Sequence, residues 1–322
     1  MRFGTVALVG RSNVGKSTFL NAALGEPLAI VSALPQTTRD ALLGVVNRSD
    51  AQIAFLDTPG LHRPRSELGR RMNAAAVDAA RSADVVMLMT DVPERRDPRW
   101  PRSAVERDRA VLELVPKDHP TLLVINKVDL VHDKSKLLPL MTDFQAALPG
   151  AEIVPISVRQ DGSVDRVLDA LAKLLPEGPA GYPEDTLTNR STAFFVREYV
   201  REQVLAQAAR EVPHAVAVTI DAIETGPKVM IAKATLHVEK EGQLRILVGR
   251  GGERIRDIGI AARERIEQLL GQKLHLELFV RVSPRWKNVP RQLAELGYDT
   301  PADAEADAKL PVARGARRVR RK

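Results

Sequence analysis

Cysteine is absent from this chain of 322 residues. Disulfides, thiolate zinc sites and cysteine nucleophiles are excluded together. Aromatic residues make up only 4%, so Ala, Val, Leu and Ile must fill the core. No apolar run approaches the roughly 18 residues of a membrane span. The opening Met1-Arg2-Phe3-Gly4-Thr5 leads straight into a strand-like segment and carries no signal-peptide pattern. Six scattered histidines (His62, His119, His132, His214, His237 and His275) form no i, i+4 metal-binding pair.

What is present is ordinary for a folded chain. Hydrophobic residues make up 44% and charged residues 28%, a balance that excludes global disorder. The length suits two domains. Net charge is +7, unevenly spread. Residues 1–178 hold 23 basic and 22 acidic residues, whereas residues 179–322 hold 25 and 19. The C-terminal part is the better partner for a polyanion.

Apolar runs at Thr5–Val9, Ala41–Val46, Gln52–Leu56, Asp84–Met89, Thr121–Ile125 and Glu152–Ile156 read as strands. A helix starts near Lys16, and amphipathic helices fit near 70–82, 104–116, 134–148 and 163–175. This alternation predicts an α/β domain with a doubly wound, mostly parallel six-stranded sheet over residues 1–176. Residues 177–187 lie in a proline- and glycine-rich stretch and read as a linker. Beyond it come a helix over 188–209, strands Val216–Ile223 and Val229–Val238, a helical segment ending in LVGRGG, a helix over 253–270 and a strand Leu274–Val282. That order describes a smaller α+β domain over 188–298. Residues 299–322, ending RGARRVRRK, read as a disordered basic tail.

Gly10-Arg11-Ser12-Asn13-Val14-Gly15-Lys16-Ser17, followed by Thr18, fits G-x-x-x-x-G-K-[ST] between a strand and a helix. Its backbone N–H groups and the helix N-terminus suit phosphates. Lys16 would reach the β- and γ-phosphates and Ser17 would bind Mg²⁺. Asp57-Thr58-Pro59-Gly60 ends a strand: Asp57 would hold Mg²⁺ and the Gly60 N–H would sense the γ-phosphate. Between them, in Pro35-Gln36-Thr37-Thr38-Arg39, Thr38 rather than Thr37 is expected to ligate Mg²⁺ while GTP is bound. Asn126-Lys127-Val128-Asp129 matches N-K-x-D. The Asp129 carboxylate would accept from N1–H and the 2-amino group of guanine, donors that adenine lacks. Ser157 and Val158 end the sixth strand, where a short loop would face the base. Leu61 follows Gly60 where a water-orienting glutamine could stand. Lys16, Thr38 and Gly60 are the candidate catalytic residues.

Gly249-Arg250-Gly251-Gly252 lies between two helical segments, with Arg245, Arg254 and Arg256 close by. Such a GxxG loop clamps single-stranded RNA in KH domains. The spacing after Gly251 excludes a dinucleotide fingerprint.

GRSNVGKST, PQTTR, DTPGLH, NKVD and VPIS, then LVGRGGERIRDIGIAARERIEQLLGQKLHLELFVRV and WKNVPRQLAELGY, together resemble the Era family of GTPases over residues 3–298. The resemblance implies a P-loop GTPase domain followed by a type II KH domain. It also implies GTP hydrolysis to GDP and phosphate, Mg²⁺ as cofactor and binding to the 3′ region of small-subunit (16S) ribosomal RNA. Small ribosomal subunit maturation, a cytoplasmic location and peripheral contact with the inner membrane are further implications. A monomer is expected. Asn13 corresponds to a P-loop asparagine that binds K⁺ in related GTPases with an apolar residue after DTPG. The family's Ser-Ala-Lys is Ser157-Val158-Arg159 here. A GTPase acting on another RNA, and a non-catalytic RNA-binding module, remain as alternatives at this stage.

Overall fold

The computed structural model describes residues 1–92, 102–116, 119–208 and 212–298. The expected tail over 299–322 and the last residue of the helix expected over 188–209 lie outside them. Two compact units result. One holds Met1–Asn189 with Lys287–Leu293, the other Arg190–Trp286 with residues 294–298.

The first unit runs β1 (Arg2–Val9), α1 (Lys16–Leu24), β2 (Leu42–Asn47), β3 (Ala51–Asp57), α2 (Glu67–Ser82), β4 (Val85–Asp91), α3 (Arg102–Leu112), β5 (Thr121–Asn126), α4 (Leu137–Ala147), β6 (Glu152–Pro155) and α5 (Ser163–Leu174). Its strands lie in the order β2-β3-β1-β4-β5-β6. Only β2 runs antiparallel to its neighbour β3; the other pairs are parallel. Continuous apolar runs produce this arrangement because β1, β4 and β5 are buried on both faces. Ala7, Val9, Val86, Leu88, Leu123 and Ile125 form one core with residues of α2, α3 and α4. The carboxyl ends of β1, β3, β4, β5 and β6 meet along one edge, where open α/β sheets bind ligands.

The helix expected over 134–148 opens with a 3₁₀ turn at Lys134–Lys136 before α4. Asp133 causes this, since its side chain accepts the Ser135 N–H at 3.1 Å. Helix α2 begins at Glu67, earlier than the apolar period suggests, because Ser66 Oγ caps the Gly69 N–H.

The segment after α5 is tied to the sheet. Gln52 is fully buried in β3. Its Oε1 accepts from the N–H groups of Gly181 and Tyr182, each at 2.9 Å. Its Nε2 donates to Tyr182 O at 2.8 Å and to Asn47 Oδ1 at 2.7 Å. Val45 N–H donates to Leu187 O at 2.9 Å, covering the β2 edge.

The second unit runs α6 (Thr192–Gln207), α7 (Val212–Ala215), β7 (Ala217–Thr225), β8 (Val229–Val238), α8 (Glu241–Val248), α9 (Glu253–Leu270) and β9 (Lys273–Val282). Its sheet is β7-β8-β9, with β8 antiparallel to β7 and parallel to β9. Met230, Ala232, Ala234, Leu236 and Val238 alternate into the core. Helix α6 starts four residues later than expected because Ser191 Oγ caps the Phe194 N–H. The one-turn α7 and a short α10 (Pro290–Glu295) carry too few residues to show a period. No helix among the described residues is long and apolar enough to cross a membrane.

Replacing Gln52 with Ala strands several polar groups at once. Stability should fall by about 2 kcal/mol. Urea unfolding read at the first unit checks this; an unchanged midpoint would refute the role given to Gln52.

Candidate functional site

The loop from Gly10 to Lys16 leaves the end of β1 and opens α1. Gly15 adopts φ 108°, and a Cβ there would sit 2.3 Å from Asn126 Nδ2. Only glycine lets the loop approach β5 this closely. Asn126 Nδ2 then donates to Val14 O at 2.9 Å, and its Oδ1 accepts the Val158 N–H at 3.2 Å. One side chain thus joins the phosphate loop, the N-K-x-D segment and the loop after β6. Ser157 is buried beside it.

Lys127 adopts φ 61°. Its Nζ donates to Asn13 O and to Asp91 Oδ2, each at 2.7 Å. Asp91 also accepts from Arg107 Nη2 at 2.9 Å. Asp91 was not singled out from the sequence. The available signal was an acid ending the apolar run of β4, and it pairs with Asn126 in the β4–β5 register. Asp129 is exposed on a 3₁₀ turn, Val128–Leu130, next to these groups.

The phosphate end is an open cleft lined among others by Ser12, Asn13, Lys16, Ser17, Thr38 and Gly60. Thr18 also lines it, with Thr37 on the facing loop. Ser17 Oγ donates to Asp57 Oδ2 at 2.8 Å and lies 3.0 Å from Thr38 Oγ1. Thr37 Oγ1 donates to Leu34 O instead, at 2.7 Å. Asp57 is fully buried, and its Oδ1 has no hydrogen-bond partner among the described residues. These are oxygen donors only, which suits a hard divalent cation such as Mg²⁺.

Lys16 is buried, and its Nζ donates to Gly10 O at 3.1 Å and Arg11 O at 3.0 Å. Burial lowers its pKa to about 8, against the opposing pull of the Asp57 charge. Burial likewise raises the Asp57 pKa, opposed by Lys16 and by the hydroxyls of Ser17 and Thr38.

Two residues grouped with the sites by motif serve the architecture. Thr58 is fully buried and its Oγ1 donates to Leu8 O at 2.6 Å, turned away from the cleft. Its neighbour Pro59 is buried as well. Arg254 folds back so that Nη1 donates to Ile246 O at 3.1 Å, closing the end of α8. Arg245, Arg250 and Arg256 are exposed around the Gly249–Gly252 turn. Gly249, Gly251 and Gly252 there have φ of 72°, 57° and 80°.

A model described as 50S ribosome-binding GTPase matches residues 5–127, and a KH domain model matches residues 211–287. The GTPase Era of Lacticaseibacillus paracasei is 42% identical over 300 residues, covering 92% of this chain and 97% of that protein. The GTPase Era of Staphylococcus haemolyticus is 39% identical over 298 residues, covering 92% and 96%. The chain belongs to the Era family of GTPases. Solved Era structures agree in fold. A tyrosine-to-alanine variant of Aquifex aeolicus Era, bound to GDP and AlF₄⁻, matches with TM-score 0.84 at 37% identity, covering 92% of this chain and 99% of that one. Era in complex with MgGDPNP and nucleotides 1506–1542 of 16S ribosomal RNA matches with TM-score 0.85 at 37% identity, with the same coverage. This Era-family chain is therefore a GTPase, built from a P-loop GTPase domain and a C-terminal KH domain.

The Lys16 pKa yields a test. Phosphates restore the charged form of a lysine whose pKa burial has lowered, so nucleotide binding draws a proton from solvent above pH 8. Calorimetry of GDP binding at about pH 8.5 should show proton uptake, as a heat that changes with the buffer's ionisation enthalpy. At neutral pH Lys16 is already charged and its contribution vanishes. Identical heats at the higher pH in two buffers of different ionisation enthalpy would refute the lowered value.

Proposed function

We propose that this Era-family GTPase binds GTP with its phosphates in the cleft at the P-loop and its guanine against Asn126, Lys127 and Asp129. Water attacks the γ-phosphorus in line, the bond to the β–γ bridging oxygen breaks, and GDP and phosphate leave. Lys16 and the P-loop N–H groups neutralise the developing charge. Ser17, Thr38 and Asp57 would hold Mg²⁺, which supplies charge stabilisation at the phosphate oxygens. Gly60 would present its N–H to the γ-phosphate. The oxygen-only set at Asp57, with one orphaned carboxylate oxygen, supports this reading best.

Leu61 is apolar and buried, so it orients no water. Asn13 Nδ2 donates to Ala33 O at 2.8 Å, which leaves its Oδ1 as an acceptor beside the phosphates. We assign that oxygen to K⁺, a cation that would stabilise charge in the transition state. Hydrolysis should run at least severalfold faster in K⁺ than in Na⁺ at equal ionic strength, with Asn13→Ala losing the difference. Equal rates in the two salts would remove K⁺ from the scheme.

The KH unit would grip the 3′ region of small-subunit ribosomal RNA, and the protein would assist maturation of that subunit in the cytoplasm. Support comes from the Era relative in complex with nucleotides 1506–1542 of 16S ribosomal RNA and from exposed Arg245, Arg250 and Arg256 around the glycine turn. A Cβ at Gly251 meets nothing within 4 Å, and although φ 57° strains any side chain there, aspartate is among the residues that best tolerate this left-handed conformation. The double change Arg250→Asp with Gly251→Asp should abolish crosslinking to this RNA while GTP binding and circular dichroism stay unchanged. The salt dependence of binding should flatten by about 0.7 log units for each phosphate of a single strand that is no longer held. Wild-type RNA affinity in the folded double variant would exclude the loop as the clamp. Crosslinks from the wild-type protein that map to another RNA would exclude the small-subunit 3′ region.

A further inference from the structure

One polar group in the cleft stands apart from these roles. Ser12 Oγ is buried and has no hydrogen-bond partner among the described residues. Serines in loops usually bond to a nearby backbone group, and this one does not. Its position is set by close packing between two segments. Leu61 N–H donates to Gly10 O at 3.1 Å, and Arg11 forms a parallel bridge with Leu61. The chain leaving β3 is thereby clamped along the phosphate loop. At the clamp, a Cβ on Gly60 would fall 2.7 Å from both Ser12 Oγ and Ser12 Cα, and 2.8 Å from Ser12 N. Ser12 therefore lines the cleft beside Gly60, together with Lys16 and Thr38, with its hydroxyl shielded within the wall.

With the roles proposed above for Lys16, Thr38 and Gly60, this would be the γ-phosphate end of the cleft, the end that GDP does not fill. Asn126 and Asp129, at the guanine end, do not line it. We propose that the Ser12 hydroxyl donates a hydrogen bond to a γ-phosphate oxygen of GTP. It would then be both a catalytic residue and the group that tells the triphosphate from the diphosphate. The inference rests on GTP occupying the cleft with its γ-phosphate at Gly60. An orphaned hydroxyl costs stability in the absence of a partner, whereas a bond to an anionic oxygen is among the stronger kinds. With no polar side chain at position 61, such a donor also carries more of the charge that develops as the bridging bond breaks.

The test compares wild type with Ser12→Ala, using GDP and non-hydrolysable GDPNP in the same buffer with Mg²⁺. Wild-type binding of both nucleotides establishes the underlying site. Ser12→Ala should leave GDP affinity within about twofold while weakening GDPNP roughly tenfold. Single-turnover hydrolysis should slow by about tenfold to a hundredfold. Thermal unfolding of the GDP-loaded protein checks that the loop is intact. Equal losses for GDP and GDPNP would assign the hydroxyl to loop architecture and overturn the proposal. An unchanged GDPNP-to-GDP ratio with an unchanged hydrolysis rate would overturn it as well.

Discussion

The carboxamide of Asn126 donates to Val14 O and accepts from Val158 N–H, and the candidate nucleotide site is organised around those two bonds. The first fixes the phosphate loop to the end of β5. The second fixes the loop after β6 to the same point. Neither forms unless Gly15 lacks a side chain, because a Cβ there would overlap the amide. Lys127 repeats the device one residue on, joining Asn13 O to Asp91. Four strand ends, those of β1, β4, β5 and β6, are thus tied together. Preorganisation of this kind reduces the ordering that binding would otherwise require.

The site holds this geometry at a cost to stability. Lys16 and Asp57 are buried charges, each disfavoured by desolvation and only partly relieved by the other. A folded domain gains little from such a pair compared with apolar residues of similar size. Ser12 and Asp57 each carry a buried oxygen with no partner among the described residues. Strands β1, β4 and β5 are by contrast mostly apolar, with no such orphan among their described residues.

Much of this was legible in the sequence because the motifs are local. The phosphate loop, D-T-P-G and N-K-x-D follow apolar runs, and parallel pairing of those runs brings their ends together. Roles that depend on register were not legible. Asp91 becomes a partner of Lys127 only because it lies opposite Asn126 in the β4–β5 ladder. Gln52 reads as one polar residue in a strand, yet it carries the segment around Tyr182. That segment reads as a linker from its prolines and glycines, which report the lack of regular structure and not what the backbone is bonded to. Thr58 and Arg254 were drawn into the sites by their motif neighbours. Only the fold shows that their side chains satisfy the Leu8 and Ile246 carbonyls. The short α7 and α10 escaped because one or two turns carry no readable period.

Two glycine turns in this chain suit phosphate groups, and they differ physically. The P-loop is braced from behind: Val14, Asn13 and Gly10 offer carbonyls that Asn126, Lys127 and Lys16 occupy. Its N–H groups are therefore held for a ligand of fixed shape, and the cations nearby are buried or paired. The Gly249–Gly252 turn has no such bracing at its tip. A Cβ on Gly251 or Gly252 would meet nothing within 4 Å, and the arginines around it are mostly exposed. Attraction there is screened by salt and tolerant of chain geometry. A rigid, desolvated pocket suits a small ligand that must be positioned for reaction. An open, charged turn suits a flexible polymer held by its backbone. The same residue type thus suits two kinds of phosphate recognition, and the difference lies in what packs behind it.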